Sequence, residues 1–269
     1  MSDAVLDPGD YRALRIERLD DVLRVTIAHP ASPLNVVDAL LHDELGRLAR
    51  GLKRERAARA VVLTGAGRAF SAGGSFDWFP ELDDMAKRDH LRADAKQLIW
   101  DLLDVELPIV AAVNGPAVGL GATLVLLCDV VLMADSATIA DPHVRVGLVA
   151  GDGGTAIWPL LVGPARAKQY LLTGDPLDAV EAERIGLVNR VVPAASLADE
   201  ALAFARRLAA GAPLAVRYTK QAVNVLVKQA LASAFDTATA LEIVTFASDD
   251  HREALAALRE KRAPRFGGR

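Results

Sequence analysis

Residues 108–121 read Pro108-Ile-Val-Ala-Ala-Val-Asn-Gly-Pro-Ala-Val-Gly-Leu-Gly121. The first half is a short apolar run typical of a buried strand, and the glycines that follow predict a turn leading into a helix that ends near Cys128. An earlier segment has the same form, because the apolar run Ala60-Val-Val-Leu-Thr64 leads directly into a glycine-rich loop over residues 65–74. Two strands that each end in such a loop predict an α/β core with parallel strands, and ligands of open α/β sheets bind at the carboxyl ends of the strands.

Further elements flank these two segments. Residues 14–18 and 22–28 alternate apolar and other side chains, which predicts a β-hairpin. Apolar positions with helical spacing predict a helix from Val37 to about Lys53, with Asp38 as its N-terminal cap. A second helix is expected over residues 89–103.

The character of the chain changes near residue 200. Beyond that point the sequence is rich in Ala and Leu and has few strand signals. We therefore expect an α/β core over residues 1–200 and a C-terminal helical region over residues 201–269.

Composition excludes several classes of protein. The chain has 269 residues, of which 52% are hydrophobic and 25% charged, so it is long and apolar enough for one large folded domain and is not a disordered chain. A net charge of −4 disfavours a broad nucleic-acid-binding surface. Cys128 is the one cysteine, which is typical of a reducing compartment. Asp3 stands where a secretory signal needs a basic residue, and Asn114-Gly-Pro116 interrupts the longest apolar run. We expect a cytoplasmic protein with no membrane span.

Two ligand classes find little support in the motifs. Gly119-Leu-Gly121 begins like a dinucleotide-binding fingerprint, but Leu124 stands where the third glycine belongs. The five histidines are scattered without a His-x-x-x-His pair, so no metal site is predicted. The glycine loops by themselves favour the simpler interpretation, in which the glycines only form tight turns.

Read together, the two loops and several later motifs resemble the enoyl-CoA hydratase/isomerase (crotonase) family. The match keeps the family's order over about residues 12–266. Its segments are Ala69-Phe-Ser-Ala-Gly-Gly-Ser75, Pro108 to Gly121, Cys128-Asp129, Gly153-Gly-Thr155, Thr173-Gly-Asp175, Glu183-Arg-Ile-Gly-Leu-Val-Asn189 and Glu260-Lys-Arg262. The resemblance implies an α/β crotonase-like spiral of β-β-α turns with a C-terminal helical trimerisation region. It also implies a coenzyme A thioester as substrate, no further cofactor, and a homotrimer or dimer of trimers.

The resemblance also implies particular site residues. An oxyanion hole, which stabilises a thioester enolate, uses one backbone N–H from each glycine loop, and these fall on Ala72 and Leu120 by motif position. The implied substrate-binding residues are Gly73, Gly119, Trp78, Phe79 and Lys261. The aromatic residues are equally typical of a core, and a basic residue near the end of the last helix is equally typical of a solvated surface.

Two departures from the family pattern bear on the reaction. Hydratases of this family use two glutamates to place and split water, and the matching positions carry Thr123 and His143. Addition of water needs an acid and a base around one water molecule, and a threonine hydroxyl is neither near neutral pH. Isomerase-type or other enolate chemistry is therefore favoured over efficient hydration.

His143 and Asp152 are the candidate catalytic residues. Histidine is suited to proton transfer near neutral pH, and Asp152 occupies the position at which dienoyl-CoA isomerase relatives carry a catalytic aspartate. In the alternative interpretation, Asp152 caps the following helix and His143 is an exposed loop residue. Two other functions remain open: an enoyl-CoA hydratase with a substitute mechanism, and a protein that binds acyl-CoA without catalysis.

The C-terminal helices carry more apolar positions than one layer over a core needs. These positions are Leu202, Phe204, Leu208, Val216, Val223, Leu226, Phe235, Leu241, Val244, Phe246 and Leu255. A monomer exposing much of this set would have an unusually large apolar patch. We therefore expect a homotrimer or hexamer that requires the residues after Glu200, with Lys261 of one subunit near the ligand of its neighbour.

Overall fold

The computed structural model describes residues 6–80 and 84–269, so Asp3 lies outside the described residues. The strands are β1 (Leu14–Leu19), β2 (Val22–Ile27), β3 (Ala60–Gly65), β4 (Ile109–Val113), β5 (Ala117–Val118), β6 (Val130–Ala134), β7 (Thr138–Ala140), β8 (Leu177–Asp178) and β9 (Arg190–Val192). The helices are α1 (Ala39–Arg54), α2 (Met85–Leu103), α3 (Leu120–Leu126), α4 (Gly154–Thr173), α5 (Ala179–Arg184), α6 (Leu197–Ala209), α7 (Pro213–Phe246) and α8 (Asp249–Arg259).

The sheets confirm the predicted parallel α/β core. Six strands form the main sheet in the order β1-β2-β3-β4-β6-β9. The hairpin β1–β2 is antiparallel, with Leu14 opposite Ile27, and the remaining neighbours are parallel. A smaller sheet has the order β5-β7-β8. All five residues of β4 are buried, which accounts for its unbroken apolar sequence.

The helix predicted after Val37 begins where its cap places it. The Asp38 carboxylate accepts a hydrogen bond of 3.0 Å from the backbone N–H of Leu41 and so satisfies one of the free donors at the helix start. The apolar side of α1 is buried and packs against α2. Lys53 and Arg54 lie in the last turn, where positive charge is favourable.

The C-terminal helices have two different positions. Helix α6 packs on β3 and β4, so the predicted boundary at residue 200 falls inside a helix that belongs to the core. Helix α7 is 34 residues long and packs against α4 and α2. This packing brings the last third of α7 to the ends of the strands that carry the glycine loops.

Among the described residues, no single helix is long and apolar enough to cross a membrane, and α7 with α8 meets that criterion only as a pair bent by 65°.

Candidate active site

A cleft lies where both glycine loops meet the segment before α4 and the last third of α7. The first loop contributes Gly74 and Trp78, and the start of α3 contributes Leu120. Most of the remaining wall is apolar. A polar wall is formed by His143, Asp152, Glu242 and Thr239, and the side chains of His42 and Arg92 also line the cleft.

His143 is the centre of the polar wall. Its Nδ1 is hydrogen-bonded to Oδ1 of Asp141, which is buried. Its Nε2 lies 3.9 Å from Oδ2 of Asp152 and 3.9 Å from Oε1 of Glu242. The imidazole of His143 is therefore hydrogen-bonded to one carboxyl group through Nδ1. Its other nitrogen, Nε2, is equally distant from two further carboxyl groups. His143 and Asp152 therefore line the same cleft, and their catalytic role stays a prediction.

The protonation of His143 follows from these neighbours. Burial of the ring alone lowers its pKa, but the carboxylates of Asp141, Asp152 and Glu242 outweigh burial and raise the pKa to about 10. At neutral pH the ring is therefore an imidazolium that donates Nδ1–H to Asp141. Its Nε2–H is left for proton exchange in the cleft. This arrangement contradicts the interpretation of His143 as an exposed loop residue, since its side chain is only 16% exposed.

Asp152 is held by donors on one side only. Its Oδ1 accepts a hydrogen bond of 3.1 Å from the Thr123 hydroxyl and one of 3.4 Å from the Gly154 N–H, whereas Oδ2 has no hydrogen-bond partner among the described residues. Burial raises the pKa of Asp152, and His143, Thr123 and Gly154 act in the opposite direction. The residue at the start of α4 that takes the cap position is Gly153, so Asp152 is not simply the helix cap.

Glu242 is a residue of the cleft that the sequence analysis missed. Its side chain is 13% exposed, and burial raises the pKa of its carboxyl group to about 8. A signal was present, because Glu242 follows Phe235, Ala238 and Thr239 on the buried side of α7 and is followed there by Phe246. An acidic residue on a buried helix face requires an explanation, and here it faces the cleft.

The cluster also bears on the metal prediction. Asp141, His143 and Asp152 present potential ligand atoms within 4.8 Å of one another, a feature that the scattered histidines did not predict. The bond between Asp141 and Nδ1 occupies one carboxylate oxygen and one ring nitrogen. The other ring nitrogen, Nε2, carries a proton at neutral pH because the carboxylates raise the pKa of the ring to about 10, and a histidine nitrogen binds a metal only when it has no proton. We therefore interpret the cluster as a proton-transfer site.

The backbone donors differ in part from those predicted. The N–H of Ala72 donates a hydrogen bond of 3.0 Å to the carbonyl oxygen of Leu34, so it is not available to a ligand in this structure. Two residues along, Gly74 lines the cleft, and its N–H has no hydrogen-bond partner among the described residues. The same holds for Leu120, whose N–H is at the first position of α3. The donor pair facing the cleft is therefore Gly74 with Leu120, and the prediction for Ala72 is corrected.

The two loops approach so closely that glycine is required at the contact. Gly73 and Gly119 have φ angles of +84° and +55°, a region that favours glycine. A Cβ atom on Gly119 would lie 3.5 Å from Cε1 of His143, and one on Gly73 would lie 3.0 Å from the carbonyl oxygen of Val118. The absence of side chains at both glycines therefore allows the two loops and the His143 ring to pack closely at the cleft.

Aromatic side chains form the apolar wall. Trp78 and Phe79 both line the cleft, where Phe79 packs edge-on against Phe246 of α7. His42 lies 6.0 Å from Trp78 between ring centroids, and burial lowers its pKa, so it is neutral at pH 7. Lys261 is exposed in the turn after α8 and does not line the cleft of its own chain.

The comparisons with known proteins agree with this architecture. The family model described as enoyl-CoA hydratase/isomerase matches residues 17–269. A probable enoyl-CoA hydratase of Mycobacterium bovis is 35% identical over 95% of this chain and 98% of its own length. The 2,3-dehydroadipyl-CoA hydratase of Escherichia coli is 32% identical over 95% of this chain and 99% of its own length.

A solved structure gives the same result for the fold. The crystal structure of an enoyl-CoA hydratase/isomerase from Mycobacterium paratuberculosis superposes with a TM-score of 0.88 at 39% identity, covering 92% of this chain and 99% of that one. The fold is thus the crotonase fold with a C-terminal helical region. The chain is an acyl-CoA enzyme of the enoyl-CoA hydratase/isomerase family.

Proposed function

We propose that the protein moves a double bond along the acyl chain of an unsaturated coenzyme A thioester through an enolate intermediate. The observation that carries the proposal is the position of His143 Nε2, 3.9 Å from Asp152, in a cleft that Leu120 and Gly74 also line. Removal of a proton from the carbon next to a thioester needs a base beside that carbon and hydrogen-bond donors at the thioester oxygen. This cleft has both kinds of group.

The roles of the groups follow from their chemistry. The N–H groups of Gly74 and Leu120 hold the thioester oxygen as negative charge develops on it. Each such donor is typically worth about 3–4 kcal/mol in the barrier. Asp152 removes the proton from the acyl chain, and His143 exchanges protons with Asp152. Trp78 and Phe79 provide an apolar wall for the chain.

Hydration by a substitute mechanism is the second candidate. It is favoured by the names of the relatives, which are enoyl-CoA hydratases. A water molecule held by His143 and Asp152 would replace the water held by two glutamates. The position of Thr123 argues for isomerisation, because its hydroxyl is engaged with Asp152 and supplies neither acid nor base.

A panel of substrates separates the candidates. The enzyme is incubated with 2-enoyl, 3-enoyl and 3,5-dienoyl thioesters of coenzyme A, and the products are identified by chromatography. Conversion of the 3-enoyl or dienoyl compounds supports isomerisation. Turnover of crotonyl-CoA at a rate typical of hydratases contradicts it. Binding by calorimetry without turnover across the panel indicates a non-catalytic acyl-CoA-binding protein.

The surroundings of the site complete the proposal. We infer that coenzyme A thioester is the substrate and that no other cofactor takes part. We also infer a cytoplasmic homotrimer or dimer of trimers, in which Lys261 approaches the coenzyme A bound by a neighbouring subunit. The apolar side chains exposed on α7, among them Val223, Leu226 and Val244, support this assembly.

A further inference from the structure

We propose that Glu242 is the acid that delivers a proton to the acyl chain, while Asp152 is the base and His143 returns the proton from Asp152 to Glu242. The inference rests on the proposed isomerisation and assigns its second proton-transfer group. It places a member of the catalytic machinery on the C-terminal helix α7, outside the two glycine loops and the segment before α4.

The geometry around His143 carries the proposal. Asp152 and Glu242 lie at the same distance, 3.9 Å, from the same ring nitrogen, Nε2. The other ring nitrogen is held by Asp141, which fixes the orientation of the ring and leaves Nε2–H as the mobile proton. Small movements of the two carboxyl groups would bring either within hydrogen-bond distance of Nε2. An imidazole with one fixed and one free nitrogen between two carboxyl groups is suited to passing a proton between them.

The chain makes room for the Glu242 carboxyl at the cleft wall. A Cβ atom on Gly151 would lie 2.4 Å from Oε2 of Glu242, so a larger residue at position 151 would displace the carboxyl group. The same carboxyl lines the cleft together with Thr239 and Ile243. The carboxyl group of Glu242 therefore lies at the wall of the cleft, where the glycine at position 151 leaves room for it.

The two carboxyl groups differ in the donors that they meet. Burial raises the pKa of both groups, but Asp152 accepts hydrogen bonds from Thr123 and Gly154, which act to favour its ionised form. The side-chain carboxyl group of Glu242 accepts no hydrogen bond from any described residue, and its pKa of about 8 leaves it largely protonated at neutral pH. The charged or titratable groups that face it are His143, Asp152 and Asp141. Groups whose environments separate their protonation states in this way are suited to act as a base and an acid.

The proton balance closes over one turnover. Asp152 takes a proton from C2 of a 3-enoyl thioester, and the C2–H electron pair becomes part of a dienolate whose oxygen rests on the N–H groups of Gly74 and Leu120. Glu242 gives its proton to C4, and the double bond moves to C2–C3. The imidazolium of His143 then gives Nε2–H to the Glu242 carboxylate and takes the proton held by Asp152. No oxidant, metal or other reactant is consumed.

The test compares Glu242→Gln with the intact enzyme. Glutamine keeps the size of the side chain and cannot deliver an acidic proton. Two rates are measured with a 3-enoyl thioester in deuterium oxide: formation of the 2-enoyl product, and exchange of the C2 hydrogen for deuterium in recovered substrate. The controls are Glu242→Asp, which restores a carboxyl group, and Asp236→Asn, which removes an exposed carboxylate on the same helix.

We expect Glu242→Gln to lower product formation about 100-fold or more while C2 exchange stays within about tenfold of the intact enzyme. Glu242→Asp should recover part of the loss, and Asp236→Asn should leave both rates unchanged. Product formation by Glu242→Gln within about threefold of the intact enzyme would overturn the proposal, and so would equal loss of product formation and exchange. If the intact enzyme shows neither exchange nor isomerisation, the proposed function itself has failed, which is a distinct result.

Discussion

The hydroxyl of Thr123 donates a hydrogen bond of 3.1 Å to Oδ1 of Asp152. Thr123 occupies the motif position of a hydratase glutamate, and Asp152 belongs to a different segment 29 residues further along the chain. The contact joins the two side chains, and the hydroxyl acts to lower the pKa of Asp152, which burial raises. We propose that it favours the ionised form of Asp152 and so supports the role of Asp152 as the base.

Replacing Thr123 by Val should test this link. Valine has nearly the same shape but no hydroxyl, so the pKa of Asp152 should rise and the acid limb of kcat/KM against pH should move to higher pH. Loss of a hydrogen bond to a charged group, worth about 1.5–3 kcal/mol, corresponds to a fall in activity of roughly tenfold or more at pH 6. Thr123→Ser keeps the donor and should retain the profile of the intact enzyme. An unchanged profile in Thr123→Val would contradict the assigned role.

Replacing Asp141 by Asn should remove the anchor of His143. The ring would lose the carboxylate that is hydrogen-bonded to Nδ1 and that raises its pKa. Burial, which lowers the pKa of His143, would then be opposed less strongly, so the pKa should fall below its value of about 10. Turnover should fall by about 100-fold or more, because the orientation of Nε2 is no longer fixed. Titration of the ring by nuclear magnetic resonance measures the pKa directly. Asp175→Asn, which breaks an exposed ion pair with Arg145, is the control.

The stability of the protein should fall as pH rises from about 5 to about 10. The folded pKa values of His143 and Glu242, about 10 and about 8, both lie above the ordinary values of 6.5 and 4.5. The folded state therefore binds more protons than the unfolded state, and this contribution to stability is full below the ordinary pKa values and is lost as pH passes the folded values. Each group contributes at most about 1.4 kcal/mol per pH unit.

Glu242→Gln should remove the part of this dependence that lies between pH 4.5 and about 8. Denaturant unfolding at a series of pH values measures the free energy of unfolding for both proteins. The slope above pH 8, which His143 contributes, should remain in the variant but end at a lower pH, because the Glu242 carboxylate no longer raises the pKa of His143. Identical slopes below pH 8 in the two proteins would show that Glu242 is not the buried group that titrates there.

Backbone substitution should distinguish the oxyanion donors. Incorporating a hydroxy acid in place of residue 74 replaces its N–H by an ester oxygen without changing the side chain. If the Gly74 N–H holds the thioester oxygen, kcat should fall by about 100- to 1,000-fold. The same change at Ala72 removes only the bond to Leu34 and should lower stability more than kcat. The reverse ranking would restore the original assignment of Ala72.

Light scattering should give three or six times the chain mass of 28.6 kDa. Leu226 on α7 is 63% exposed in the single chain, so Leu226→Glu should weaken the assembly by placing charge in an apolar interface. Val180→Glu on α5, at a position 67% exposed, is the matched control and should leave the mass unchanged. A stable particle near 28.6 kDa for the intact protein at micromolar concentration would contradict the trimer.

The sequence by itself determined the local elements and the family. Apolar periodicity predicted the hairpin β1–β2 and the parallel strands, and Asp38 predicted the start of α1, because these patterns depend on neighbours along the chain. The motif positions also predicted Thr123, His143 and Asp152 as the residues that bear on the reaction.

The tertiary structure alone decided how those residues combine. The Ala72 N–H was assigned to the substrate by motif, but the loop folds so that Leu34 accepts its hydrogen bond and Gly74 faces the cleft. Glu242 reaches His143 because α7 packs across α4. The periodicity of a helix predicts which of its faces is buried and carries no information about what that face meets. Contacts between distant segments depend on the packing of the whole chain, and the polar wall of this cleft is built from such contacts.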